Sequence, residues 1–214
     1  MKMSDLNEIR KEYTYSQLEI DNLDINPIVQ FRYWLNDALK ANVSEPTAMV
    51  LSTVGNEGMP SSRVVLLKNL DNDGFTFFSN YESRKGIQIT QNPNASLLFF
   101  WPQIERQVRI EGRVAKTPHH ISDEYFLSRP EGSKIGAWAS PQSRRVPSRE
   151  YLDNLQKDYI RLFKSKVLER PENWGGYKLF PHTIEFWQGR ENRLHDRFEY
   201  KMNGSIWEIH RLAP

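Results

Sequence analysis

Short apolar segments separated by turn residues run from Ala48 to Val114, and this pattern restricts the fold more than any other feature of the chain. The sequences Gly55-Asn56-Glu57-Gly58 and Asp71-Asn72-Asp73-Gly74 are typical of turns that join antiparallel strands. The predicted strands are Ala48 to Val54, Ser61 to Asn69, Phe75 to Ser79, Ser96 to Trp101 and Gln107 to Lys116. Strands spaced this regularly predict a small antiparallel barrel.

Helices are predicted on both sides of this strand region. Asn26-Pro27 is a favoured start for a helix, and Ser83 to Gln91, Pro118 to Ser128 and Ser148 to Leu168 have helical patterns. The chain then returns to strand at Tyr177 to Phe180, Thr183 to Trp187, Arg193 to Tyr200 and Ile206 to Leu212. The fold class is therefore predicted as α+β, an antiparallel barrel with flanking helices. Residues 1–24 are predicted to be a flexible arm or lid, and residues 25–214 a single domain.

The composition excludes several classes of protein. The net charge is only +2 although 26% of residues are charged, so no global basic field indicates a nucleic-acid partner. The chain contains no cysteine, which removes disulfides and thiolate sites, and we expect a cytoplasmic protein. No apolar run approaches the roughly 18 residues of a membrane span. His119-His120 lacks an acidic ligand at metal spacing, so no metal site is predicted.

Two cationic segments indicate an anionic ligand. In an extended Arg193 to Tyr200, the side chains of Arg193, His195 and Arg197 share one face, where like charges repel unless an anion lies opposite. The alternative is a solvated edge strand that resists aggregation. In Arg63-Val64-Val65-Leu66-Leu67-Lys68, charges lie at both ends of an apolar run typical of a buried strand. This second cluster favours a ligand close to that strand.

Two further groups of residues have the chemistry of phosphate sites. Ser83-Arg84-Lys85-Gly86 lies at a predicted helix start, where free N–H groups attract anions. Tyr125 and Arg129 share a helix face, and Ser133 follows the Pro130 break. Each group can also be ordinary solvated surface, and the same alternative applies to Gln107 on its strand and to Gln142-Ser143.

In this order, a set of motifs resembles the pyridoxine/pyridoxamine 5′-phosphate oxidase family, FMN enzymes with a split-barrel fold. The resemblance covers nearly the whole chain. The motifs are Pro46-Thr47-Ala48-Met49-Val50, Arg63-Val64-Val65-Leu66-Leu67-Lys68, Ser83-Arg84-Lys85, Glu105-Arg106-Gln107-Val108, Ser128-Arg129-Pro130, Ile135-Gly136-Ala137-Trp138, Trp174-Gly175-Gly176, Ile184-Glu185-Phe186-Trp187-Gln188-Gly189 and Arg193-Leu194-His195-Asp196-Arg197.

The resemblance implies which residues hold the cofactor and the substrate. The implied FMN contacts are Arg63, Val64, Val65, Leu66, Leu67, Lys68, Phe78, Ser79, Arg84, Lys85, Gln107, Gln142, Ser143, Trp187 and Arg197. The implied substrate contacts are Arg10, Tyr13, Lys68, Tyr125, Arg129, Ser133, Arg193 and His195. Arg193, His195 and Arg197 are the implied catalytic residues, and no metal is implied.

By the same resemblance, we expect the oxidation of pyridoxine 5′-phosphate and pyridoxamine 5′-phosphate to pyridoxal 5′-phosphate in vitamin B6 metabolism. The expected oxidant is O₂, which yields H₂O₂, and the amine substrate also yields ammonia. A homodimer with FMN at the subunit interface is implied. Two other hypotheses stay open: a flavin carrier or sensor without turnover, and a nucleic-acid module in which aromatic residues stack on bases.

Overall fold

The computed structural model describes residues 11–214, which contain the predicted mixture of helices and strands. The helices are α1 (Pro27–Lys40), α2 (Arg84–Gln91), α3 (His119–Ser128), α4 (Glu131–Ala139) and α5 (Arg149–Phe163). The strands are β1 (Ala48–Val54), β2 (Pro60–Leu66), β3 (Asn69–Leu70), β4 (Phe75–Asn80), β5 (Asn94–Trp101), β6 (Arg106–Lys116), β7 (Trp174–Gln188), β8 (Asp196–Asn203) and β9 (Ile206–Leu212). The α+β class is confirmed. Within the described residues, every helix is too short or too polar to cross a bilayer.

The strands belong to one nine-stranded sheet with the order β2-β1-β5-β6-β7-β4-β3, while β8 pairs with β7 and β9. Strand β7 pairs antiparallel with β4 through Trp174 to Leu179 and with β8 through Thr183 to Gln188. Pro181 lies between these two ladders. Because proline has no N–H to donate, this position between two partner strands lets β7 continue through it.

The chain divides into two compact units. The first unit contains α1, β8, β9 and the segment Leu98–Ile110. Its core is aromatic: the ring of Phe31 lies 4.8 Å from that of Phe99, and Trp34 lies 5.1 Å from Phe186. Asn26 begins α1 as predicted, because its side chain accepts a hydrogen bond from the Ile28 N–H at 2.9 Å. Burial of these rings holds α1 against the strands of this unit.

The second unit comprises Met49–Leu97 and Glu111–Pro181, and contains helices α2 to α5. Phe77 and Tyr177 are almost fully buried on the paired strands β4 and β7, and their rings stack at 5.6 Å. Ser83 begins α2, since its hydroxyl accepts a hydrogen bond from the Gly86 N–H at 3.3 Å. This start fixes the positions of Arg84 and Lys85 at the first turn of the helix.

Several sequence predictions about elements were wrong. Strand β8 begins at Asp196, and Glu191–Arg193 forms a 3₁₀ turn in which Asn192 and Arg193 have φ values of 55° and 62°. Arg193, His195 and Arg197 therefore do not alternate along one strand. Strand β2 is not buried: it lies at the end of the sheet order, and Val64 is 64% exposed. Helix α4 was missed, and α5 ends at Phe163 rather than Leu168.

Replacing Gly86 by alanine is expected to destabilise the protein by about 3 kcal/mol, because overpacking against backbone cannot relax easily. A Cβ at Gly86 would contact the Tyr81 carbonyl oxygen and lie 2.6 Å from its carbonyl carbon. Gly136 is the matched control within a helix, since a Cβ there meets nothing within 4 Å. Gly136→Ala should increase stability by up to about 1 kcal/mol. Urea denaturation measures both changes, and equal midpoints for the two variants would contradict the prediction.

Candidate active site

A cavity of about 840 Å³ lies within the second unit and is lined by most of the predicted cofactor residues. These lining residues are Arg63, Val64, Val65, Leu66, Lys68, Phe78, Ser79, Arg84, Lys85, Gln142 and Ser143. The predicted substrate residues Lys68, Tyr125, Arg129 and Ser133 line the same cavity. Among the described residues that line it there are five cations and no carboxylate. The cavity therefore has the electrostatic character of an anion site.

Arg63 is held by a hydrogen-bond network that includes Thr53, Ser61 and Gln88. Its guanidinium donates to Thr53 Oγ1 at 2.7 Å and to Ser61 Oγ at 2.6 Å. Both hydroxyls in turn donate to Gln88 Oε1 at 2.7 Å. Burial and the nearby charge of Arg84 lower the pKa of Arg63. The guanidinium keeps its proton at neutral pH because the ordinary pKa of arginine lies far above neutrality.

Lys85 is a buried cation without a carboxylate partner among the described residues. Its Nζ donates to Gln142 Oε1 at 2.8 Å and to Ser83 Oγ at 3.1 Å. Burial, and to a lesser degree the charge of Arg63, lower the pKa of Lys85 to about 8. A buried ammonium close to another cation is stabilised by an anion, and a bound phosphate would supply one.

Arg129 provides a second unsatisfied cation. Its Nη1 atom is buried and has no hydrogen-bond partner among residues 11–214, while its guanidinium lies 4.6 Å from the ring centre of Trp174. Trp174 also stacks with Phe78 and Tyr125, whose own rings are 3.8 Å apart. Burial lowers the pKa of Arg129, which the neighbouring Tyr125 partly opposes. A buried N–H without a partner is costly, so this group is arranged to receive an acceptor from the cavity.

A second group of predicted residues lies within the first unit, around His195. The ring of Tyr13 meets those of Trp187 and His195 edge to face at 5.7 and 5.8 Å, and the Trp187 and His195 rings are 4.6 Å apart. The Arg190 N–H donates to Nδ1 of His195 at 3.1 Å. A neutral His195 must then carry its hydrogen on Nε2, which makes that atom a donor. Burial and the charge of Arg193 lower the pKa of His195 against an opposing effect of Asp196, which favours this neutral form.

The other predicted residues have different surroundings. Arg197 donates to Glu185 Oε1 at 2.8 Å and to the Ala213 carbonyl at 2.7 Å, and the bond to Glu185 raises the pKa of Arg197. Arg193 is exposed, Gln107 is half-buried on β6, and Leu67 is buried outside the cavity lining. Arg10 lies outside the described residues.

Four residues that support the cavity were not predicted as site residues. Thr53, Ser61 and Gln88 hold Arg63, and Trp174 lies beneath Arg129. The sequence could have identified Trp174 as a site residue, since the Trp174-Gly175-Gly176 motif is part of the family resemblance. No sequence pattern identifies Thr53, Ser61 and Gln88, because a threonine, a serine and a glutamine are ordinary residues on strands and helices.

Comparison with known protein families gives two matches. A family model described as Pyridoxamine 5′-phosphate oxidase matches residues 35–153. A second, described as Pyridoxine 5′-phosphate oxidase C-terminal dimerisation region, matches residues 174–214.

Similar proteins align with nearly the whole length of the chain. A pyridoxine/pyridoxamine 5′-phosphate oxidase of Cupriavidus pinatubonensis is 50% identical over 99% of this chain and all of its own length. The same enzyme of Burkholderia thailandensis is 51% identical, with 99% and 100% coverage. The solved structure of PhzG from Burkholderia lata 383, in complex with tetrahydrophenazine-1-carboxylic acid, has a TM-score of 0.89 and 31% identity, covering 95% of this chain and 100% of its own.

A more distant structure supports the fold. An FMN-binding, pyridoxamine 5′-phosphate oxidase-related protein from Nostoc punctiforme has a TM-score of 0.69 at 19% identity, covering 86% of this chain and 97% of its own. The predicted split barrel is therefore confirmed. With family models matching both parts of the sequence and relatives about half identical over its whole length, the chain belongs to the pyridoxine/pyridoxamine 5′-phosphate oxidase family.

Proposed function

We propose that the protein binds FMN and oxidises pyridoxine 5′-phosphate and pyridoxamine 5′-phosphate to pyridoxal 5′-phosphate. The observation that carries the proposal is the cavity with five cations and no described carboxylate, in which buried Lys85 and half-buried Arg129, with its buried Nη1, have no anionic partner among the described residues. Two phosphates, one from FMN and one from the substrate, would supply the anions that these two cations lack among the described residues. Curated relatives that carry this oxidase name cover the whole chain and support the assignment.

The proposed reaction balances with O₂ as the final oxidant. Pyridoxine 5′-phosphate and O₂ give pyridoxal 5′-phosphate and H₂O₂, and pyridoxamine 5′-phosphate consumes a water molecule in addition and releases ammonia. When bound, FMN would supply the two-electron chemistry that no protein side chain offers. The chain's own residues bind and orient the two ligands.

Different residues of the cavity would bind the phosphate of FMN and the phosphate of the substrate. Arg63, Arg84 and Lys85 would hold the FMN phosphate, with Gln142 and Ser143 beside them. Lys68, Tyr125, Arg129 and Ser133 would hold the substrate phosphate, whose remote binding energy orients the reacting carbon.

The second group of residues would act on the rings of the ligands. The Nε2–H of His195 would donate to a polar substituent of the substrate ring, and Arg193 would lie beside it. Trp187, Gln107 and Arg197 are assigned to FMN, and Glu185 fixes the guanidinium of Arg197 at 2.8 Å. In the proposed role, His195 orients the substrate as a donor and is not a proton acceptor.

We also propose a homodimer with FMN at the subunit interface, so that each site takes residues from both chains. The match to a dimerisation region over residues 174–214 supports it. So does the exposed apolar surface of strand β2 and the turn before it, where Met59 is 65% and Val64 is 64% exposed. A cytoplasmic location stays a prediction from the sequence.

An anaerobic visible spectrum of the FMN-loaded protein tests the function. Addition of pyridoxine 5′-phosphate should bleach the flavin band, and air should restore it with formation of H₂O₂. Bound flavin that stays unbleached would contradict the proposed substrates and favour a carrier, or a carboxylic acid of the kind in the PhzG complex. If no flavin bound, the whole proposal would be wrong.

A further inference from the structure

Residues 11–19 are attached to the rest of the first unit by contacts that the sequence did not indicate, including ion pairs or hydrogen bonds of Lys11, Tyr15, Gln17, Leu18 and Glu19. The Tyr15 N–H donates to Glu105 Oε2 at 2.9 Å, and the Lys11 ammonium lies 3.0 Å from Glu105 Oε1. The Leu18 N–H donates to Asp196 Oδ2 at 3.0 Å, and the Leu18 side chain is buried. Between these anchors, Tyr13 lies against Trp187 and His195. We call residues 11–19 the arm segment.

Glu105, which accepts these contacts, has an unusual burial and backbone conformation. It is a buried carboxylate, only 5% exposed, on a residue with a φ of 55°, in the left-handed region that non-glycine residues rarely adopt. Its backbone carbonyl also accepts a hydrogen bond from the Gly189 N–H at 2.8 Å. One residue thus joins the arm segment, through its side chain, to the end of β7, through its backbone.

Gly189 supplies the space that Tyr13 occupies. A Cβ at Gly189 would lie 2.8 Å from both Cβ and Cγ of Tyr13, and 3.1 Å from Cβ of Glu105. Real Cβ atoms essentially never approach other atoms below 3.0 Å. The atoms contacted are the root of the tyrosine side chain, so rotation of the ring cannot relieve the overlap. Any side chain at position 189 therefore forces Tyr13 or the backbone beside it to shift.

We propose that Glu105 and Gly189 form a seat that positions the arm segment, and with it Tyr13, over the Trp187 and His195 rings for the reaction. Both are positioning residues, because they act through Tyr13. The role in the reaction rests on the proposed function, whereas the attachment of the arm segment does not. At the far end of the same segment, Asp196 accepts from the Leu18 N–H and Arg211 pairs with Glu19.

Amide hydrogen exchange of the FMN-loaded protein tests the attachment without any turnover. In Glu105→Ala and Gly189→Ala, the Tyr15 amide should exchange faster, while the Leu18 amide stays protected by Asp196. Glu105→Gln should restore part of the protection, since an amide oxygen can still accept from the Tyr15 N–H. The controls are Glu208→Gln, an exposed carboxylate on β9, and Gly136→Ala. Unchanged exchange at Tyr15 in both seat variants, or equal increases in the controls, would overturn the proposal.

Steady-state kinetics then tests the role in the reaction. Loss of a hydrogen bond to a charged group should raise KM for pyridoxine 5′-phosphate about tenfold in Glu105→Ala, with a smaller change in kcat. Gly189→Ala should show the same division between KM and kcat, and Glu105→Gln an intermediate KM. Faster exchange with unchanged kinetics would show that the seat has no part in catalysis. If the wild-type protein did not oxidise the substrate, the proposed function would be wrong while exchange still decided on the seat.

Discussion

Replacing Arg129 by methionine is expected to raise KM for pyridoxine 5′-phosphate about a hundredfold and to leave kcat within a few-fold of the original value. Removing one member of a buried charge pair costs about 2–5 kcal/mol, and because Arg129 is half-buried we take about 2.7 kcal/mol, which corresponds to a factor of about a hundred. Methionine preserves the contact with Trp174 but removes every N–H. The expected loss falls on KM because a phosphate contact remote from the reacting carbon is equally strong in ground and transition states.

Initial rates over a range of substrate concentrations, with FMN saturating, measure this effect. Arg149→Met is the matched control, since Arg149 is an exposed arginine on α5 paired with Asp153. We expect its kinetics to match those of the wild type, because exposed ion pairs contribute little. An unchanged KM in Arg129→Met would refute the assignment of Arg129 to the substrate phosphate.

The affinity of the apoprotein for FMN is expected to fall about tenfold between pH 7 and pH 9. The pKa of Lys85 is about 8 in the protein without ligand, because burial and the charge of Arg63 lower it. A bound phosphate raises this pKa, so that binding above pH 8 requires the uptake of a proton and becomes weaker. The phosphate itself does not titrate in this range, since its second pKa is about 6.

Titration of flavin fluorescence with apoprotein at each pH measures the affinity. Lys85→Met should bind FMN about a hundredfold more weakly at pH 7, and its affinity should be independent of pH from 7 to 9. If the variant kept the slope of the wild type, the titrating group would be another residue.

The sequence was informative about the fold wherever local chemistry determines an element. Strand β1 has the predicted bounds, and α1 begins at Asn26 with Pro27, because a cap and a turn act within a few residues. The predictions from the sequence were wrong where tertiary contacts determine the secondary structure. The turn at Glu191–Arg193 replaces a predicted strand start, and β7 passes through Pro181 because that residue lies between two ladders.

The candidate site was likewise predicted from the sequence only in part. Motifs with recognisable chemistry, such as Arg63 to Lys68 and Ser83 to Lys85, contribute most of their residues to the cavity lining, although Leu67 and Ser83 are not part of it. Glu105 and Gly189 were visible only as parts of motifs, and nothing in the sequence pairs them with Tyr13, which is about ninety residues or more away. Contacts over such separations depend on the path of the chain in space, which periodicity and propensity do not describe.

The network around Arg63 has a consequence for the entropy of binding. Because Gln88 Oε1 accepts from both hydroxyls, the protons of Thr53 and Ser61 have fixed directions, and their lone pairs face the guanidinium. An arginine side chain carries about 2 kcal/mol of rotamer entropy. Here that freedom is lost when the chain folds, before any ligand arrives. An incoming anion therefore meets a guanidinium that is already oriented by its hydrogen bonds, and the ordering of this side chain reduces its affinity less.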